Sequence, residues 1–126
     1  MKMEFIEATP FTALVKQYLS EGGYRRLQSA LLENPQAGEV MPGTGGFRKM
    51  RWLDARRGKG KRGGLRVIYF HFAEDDQIWM LTLFDKDEAP DLTPEQKKAL
   101  QKAITTEKEA RRTKRAARSA SQPRRR

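Results

Sequence analysis

The 126-residue chain has no cysteine. That rules out a disulfide framework and any thiolate metal site. Histidine occurs once, as His71, so a site of several histidines is excluded too. No Ser/His/Asp set and no pair of carboxylates at catalytic spacing stands out. Long apolar runs are also missing: hydrophobic residues are 37% of the chain and thin out after Ile104. None of the runs approaches the length of a membrane span. The opening MKMEFIEATPF has acids where a signal peptide needs an apolar core. These absences set the expectation of a soluble, cytoplasmic protein with no membrane partner, no cofactor and no metal.

What is abundant is positive charge, and it is unevenly placed. The net charge is +10. Residues 108–126 hold nine Lys/Arg against Glu109 alone, which makes that end +8. Phe47 to Arg66 holds nine cations against Asp54 alone, again +8, while residues 67–107 sum to −5. A body with its positive field gathered in one twenty-residue stretch attracts polyanions.

The length suits one domain. Met3 to Glu7 reads as a first strand. Thr9-Pro10 marks a helix start, with Thr9 as N-cap, and Phe11, Leu14, Val15, Tyr18 and Leu19 recur at helical spacing. Ser20 suits the cap of a second helix, with a stripe of Tyr24, Leu27 and Leu31, and Asn34-Pro35 stops it. VMPGTGG, residues 40–46, is turn chemistry. Strands follow at Phe47 to Asp54, Leu65 to Phe72 and Gln77 to Phe84. The glycine-rich basic loop ARRGKGKRGG lies between the first two, and an acidic turn at Ala73 to Asp76 joins the last two. Short connections make this an antiparallel meander. Thr93-Pro94 then caps a last helix, whose apolar stripe is Ala99, Leu100, Ala103 and Ile104. From residue 108 the composition predicts a frayed or disordered basic tail. The reading is a domain of residues 1–107 followed by a tail of 108–126. The fold class is α+β, in the order β-α-α-β-β-β-α: a small antiparallel sheet with a helical hairpin packed on it and a C-terminal helix.

Side chains alternate faces along a strand. Arg48, Met50 and Trp52 therefore share one face of their strand, and Phe47, Lys49, Arg51 and Leu53 the other. Arg66, Ile68, Phe70 and Phe72 share a face of the next strand. Met50 and Trp52 read as core, which leaves Lys49 and Arg51 together on an open face. Two cations on one strand face repel, and stability gives no reason for them. A phosphate backbone lying over that face does. The loop GKGKRGG is not a P-loop, because the G-x-x-x-x-G-K-[ST] spacing and the following helix are absent. Such a site can still act on RNA. Attack of a 2′-hydroxyl on its own 3′-phosphate needs the backbone held in line and the phosphorane charge neutralised, and Arg and Lys supply both. A lysine whose pKa is lowered by neighbouring cations can serve as base.

The segments GTGGFRKMRW, GKGKRGGLRVIYF and LTLFDKDEAPDLTPEQKKAL resemble, in this order, the RelE/HigB superfamily of type II toxin–antitoxin toxins, in particular the HigB-like branch. The resemblance runs from about Phe5 to Leu100. It implies a RelE-like fold and a metal-independent endoribonuclease, an mRNA interferase that cuts translated messenger RNA in the ribosomal A site. It also implies a cognate HigA-like helix-turn-helix antitoxin and, through that complex, operator DNA. By position it assigns Lys49, Arg51, Arg66 and Lys86 to catalysis. Arg48, Arg56, Arg57, Lys59, Lys61 and Arg62 become RNA or ribosome contacts. Asp87 stands where RelE-type toxins carry arginine, no tyrosine follows Tyr69, and the arginine-rich tail is not part of the usual core. A gyrase-poisoning ParE-type relative and a non-catalytic RNA- or ribosome-binding module stay open as alternatives.

Overall fold

The computed structural model describes residues 2–53, 64–87 and 91–121. The chain forms two compact units: Met1–Met41 with Gly46–Asp91, and Pro42–Gly45 with Leu92–Arg126.

The first unit is a five-stranded sheet with a helical hairpin. Its elements are β1 (Glu4–Glu7), α1 (Thr9–Tyr18), α2 (Glu21–Glu33), β2 (Glu39–Val40), β3 (Arg48–Trp52), β4 (Leu65–Phe72), a 3-10 turn (Ala73–Asp75) and β5 (Gln77–Asp85). The strand order is β1-β5-β4-β3-β2. The class is α+β, as the sequence predicts, with two additions. One is the short strand β2, whose second residue, Val40, opens the segment that reads as turn. The other is a parallel pairing of β1 with β5 beside three antiparallel ladders.

Local chemistry explains the helix ends. Ala8 is the N-cap of α1, not Thr9, and Pro10 lies in the first turn, where its missing N–H costs no intrahelical bond. Ser20 caps α2 by accepting from the Gly23 amide at 3.0 Å, and Asn34 ends that helix. Glu7 ties the entry together: it accepts from the Thr12 hydroxyl at 2.6 Å and from the Tyr24 hydroxyl at 2.9 Å. Burial, and then that contact with Glu7, raise the Tyr24 hydroxyl well above its usual pKa.

Phe11, Val15, Leu19, Leu27 and Leu31 of the hairpin pack on Met50, Leu65, Val67, Tyr69, Ile78, Met80 and Leu83 of the sheet. A side chain as fully buried as Phe11, Leu27 or Leu31 contributes about 1.5–3 kcal/mol. Tyr69 adds polar specificity to this core: its hydroxyl donates to the Pro35 carbonyl and accepts from the Gly38 amide, both at 2.8 Å. The loop that leads into β2 is thereby fixed to the middle of β4.

One irregularity decides which side chains reach the far face. Ile68 pairs with Thr82 and Tyr69 with Met80, so Leu81 is an extra residue in β5. Strict alternation from Met80 would send Thr82 and Phe84 to the helix side. The bulge changes the phase by one residue, so Leu83 and Asp85 take that side and Phe84 is turned to the face of Arg66.

The second unit is the turn Pro42–Gly45 with α3 (Pro94–Ser121). Thr93 accepts from the Gln96 amide, and the Gln96 side chain accepts from the Thr93 amide, a reciprocal capping box. At Gly45, φ is +82° and an added Cβ would stand 2.6 Å from Ile104 Cγ2, so only glycine fits. The helix runs without a break past Lys108 to Ser121. This corrects the expectation of a frayed or disordered segment from 108. Its alanines and pairs such as Arg111–Glu107 at 2.9 Å suit a helix without a large apolar face. Among the described residues, no helix is long and apolar enough to cross a membrane.

Candidate functional site

Register places the cations. Lys49 lies opposite Ile68, Arg51 opposite Arg66, and Arg66 opposite Phe84, so all these side chains share the sheet face that looks away from the helical hairpin. This is the face assignment expected for Lys49 and Arg51. The face is not uniformly open, however. Ile68, Phe70 and Phe72 are buried, and Phe47, Phe70, Phe72 and Trp79 form a continuous chain of ring contacts with centroids 4.6–5.3 Å apart. The cations gather beyond this aromatic chain.

There, Lys49, Arg66, Phe84, Lys86 and Asp91 line a depression of about 240 Å3. Three elements bring its cations together: Lys49 from β3, Arg66 from β4, and Lys86 from the turn after β5. That turn is held by the buried Asp85, whose carboxylate accepts from the Asp87 amide at 2.9 Å. Asp91 reaches Lys49 Nζ at 2.5 Å, with the two side chains 51% and 31% exposed. An exposed pair of this kind is worth no more than about 1 kcal/mol. A backbone phosphodiester, one negative charge shared by two oxygens, competes with such a weak pair when neighbouring cations bind it too.

Of the predicted catalytic residues, Lys49, Arg66 and Lys86 come together in this depression. Arg51 is exposed on the same face, directly across the ladder from Arg66. Arg48 does not join them. It lies on the helix side, and its guanidinium donates to the Gly38 carbonyl at 2.7 Å and to the Gln36 carbonyl at 3.4 Å. Its visible work is to hold the loop that Tyr69 also holds. Arg56, Arg57, Lys59, Lys61 and Arg62 lie outside the described residues. His71 lies in register with Ile78 on the helix side, away from the cation cluster. Burial lowers its pKa, Arg48 lowers it further, and Asp76 opposes both.

Two residues of the depression were not anticipated. Asp91 sits in APDLTPE, where nothing but the Pro-rich turn composition marks it. Phe84 reads as the end of a strand, and its facing depends on the bulge at Leu81. Chemically, the arrangement is a cluster of three cations, in which Lys49 pairs with the Asp91 carboxylate, with an aromatic ring beside it. Among the described residues, no group of three or more His, Asp or Glu is placed to hold a metal ion.

No family model matches the sequence. Among solved structures, a chain of the intact E. coli RelBE toxin–antitoxin complex is similar over 65% of this chain and 94% of its own, at 15% identity and a TM-score of 0.44. A likeness at that level assigns neither a family nor an activity.

Proposed function

We propose that this chain is the toxin component of a type II toxin–antitoxin system, a metal-independent endoribonuclease that cuts translated messenger RNA in the ribosomal A site. The observation that carries the reading is the convergence of Lys49, Arg66 and Lys86 in one depression. These residues lie far apart in the sequence, and each is singled out by the motif resemblance to RelE/HigB toxins.

In this reading the three cations bind the scissile phosphate and the phosphate beside it. They hold the 2′-hydroxyl in line with the leaving 5′-oxygen and neutralise the charge that grows on the phosphorane. The 2′-oxygen bonds to phosphorus, the bond to the 5′-oxygen breaks, and the products are a 2′,3′-cyclic phosphate and a 5′-hydroxyl. Arg51 extends the positive surface along the incoming backbone. The partners are the ribosome with its message, a HigA-like helix-turn-helix antitoxin that holds the toxin inactive, and operator DNA through that complex. The cellular site is the cytoplasm.

Primer extension across a reporter message after brief induction tests the proposal. Native protein should give new in-frame cuts, while Arg66→Ala and the turn variant Lys86→Ala, each verified to fold, should not. Growth arrest without cuts would reject the nuclease and turn attention to gyrase or to passive ribosome blocking.

A further inference from the structure

The cations of the depression suit any polyanion, and charge alone does not distinguish a duplex from a single strand. Phe84 does. It is half-buried, lies directly across the β4–β5 ladder from Arg66, and lines the same depression as Lys49, Arg66 and Lys86. It is there because β5 carries an extra residue at Leu81; with regular alternation it would face the hairpin core. Bulges next to functional sites commonly re-aim a side chain. A core-sized aromatic has thus been taken out of the core phase and set among three cations.

We infer that Phe84 is a stacking platform for one unpaired nucleobase, and that Lys49, Arg66 and Lys86 hold the phosphates flanking that nucleotide. Aromatic rings interleaved with cations are how single strands are bound, since every base offers a face to stack and a duplex offers none. The depression is small, about 240 Å3, below the roughly 300–1,000 Å3 of pockets for drug-sized ligands. Stacking would fix the nucleotide's sugar relative to Arg66. Phe84 is thereby a positioning residue for the proposed cleavage. The inference takes only the choice of RNA from that proposal; the stacking itself requires no chemistry.

The test uses the purified full chain and probes that cannot be cleaved: a fully 2′-O-methylated hexanucleotide, the same strand with abasic sugars, and the same strand annealed to its complement. Fluorescence anisotropy at low salt should show the single strand bound at least ten-fold more tightly than the abasic strand or the duplex. Phe84→Leu should lose about ten-fold for the single strand, in the range of one stacked base, and nothing for the abasic strand. Its salt dependence should keep the native slope, because no phosphate contact is removed. Phe84→Trp should bind as tightly as the native chain, which separates lost stacking from lost packing. Equal binding of base-bearing and abasic strands by the native protein, or native affinity in Phe84→Leu, would overturn the inference. If binding depends on Phe84 but no message is cut on ribosomes, the platform stands and the nuclease reading fails.

Discussion

Arg51 and Arg66 stand directly opposite each other across the β3–β4 ladder, on the face that also carries Lys49 and Phe84. Like charges in directly opposed strand positions cost about 0.2–1 kcal/mol relative to neutral pairs. Both arginines have further interactions, yet the juxtaposition itself gains nothing for the sheet. It is intelligible if a polyanion lies across the pair. Arg51→Thr, which substitutes a residue suited to strands, should therefore shift stability by no more than about 1 kcal/mol in a urea titration. Affinity for single-stranded RNA should fall, and the slope of log affinity against log salt should decrease by about one. An unchanged slope would mean that Arg51 makes no phosphate contact.

In the proposed site, Asp91 would compete with an RNA phosphate for Lys49. Replacing Asp91 with Asn removes the competing charge and leaves the shape. Affinity for the 2′-O-methylated strand should rise several-fold, and the thermal midpoint should move little, because an exposed pair contributes no more than about 1 kcal/mol. A fall in affinity would instead assign Asp91 a supporting part in binding.

Tyr69 is fully buried and makes two hydrogen bonds to the loop between α2 and β2. Tyr69→Phe strands the buried Gly38 amide and removes a donor from the Pro35 carbonyl. The cost should be about 1–3 kcal/mol, read from the shift of the urea midpoint at constant slope. A cost near zero would show that Arg48, bound to the neighbouring carbonyls of Gln36 and Gly38, holds the loop unaided.

His71 sets a pH dependence. Burial and Arg48 lower its pKa below the ordinary imidazole value of about 6.5 despite the opposing Asp76. The unfolded chain therefore takes up the proton first as pH falls, and stability is lost from just above that value downward. His71→Gln should flatten the stability profile between neutral pH and about pH 5. A profile unchanged by the substitution would place the acid sensitivity in other groups.

The elements legible in the sequence were those with strong local signals. Ser20, Asn34-Pro35 and Thr93-Pro94 mark helix ends by capping chemistry, and β4 has the bounds its apolar run suggests. Three features depend on tertiary pairing, and local pattern did not reveal them. β2 is two residues long and exists by pairing with Arg48 and Lys49. The parallel β1–β5 pairing joins segments far apart in the chain. The bulge at Leu81 leaves no trace in composition. In α3, helix-forming Ala, Arg and Lys outweighed the low hydrophobicity that suggested disorder. The site divides the same way. Alternation placed Lys49, Arg51 and Arg66 on one face, but it could not assign Arg48 to the loop carbonyls, pair Asp91 with Lys49, or turn Phe84 to the cations.

The most direct test of the cation seat is cleavage of a ribosome-bound message by the purified full chain, with the chemistry of the new ends determined. A 2′,3′-cyclic phosphate on the upstream fragment, with a rate lowered about 100-fold or more in Arg66→Ala, is the predicted result. Ends bearing a 3′-hydroxyl, or equal cutting by Arg66→Ala, would contradict the assignment of Lys49, Arg66 and Lys86 to the cleaved bond.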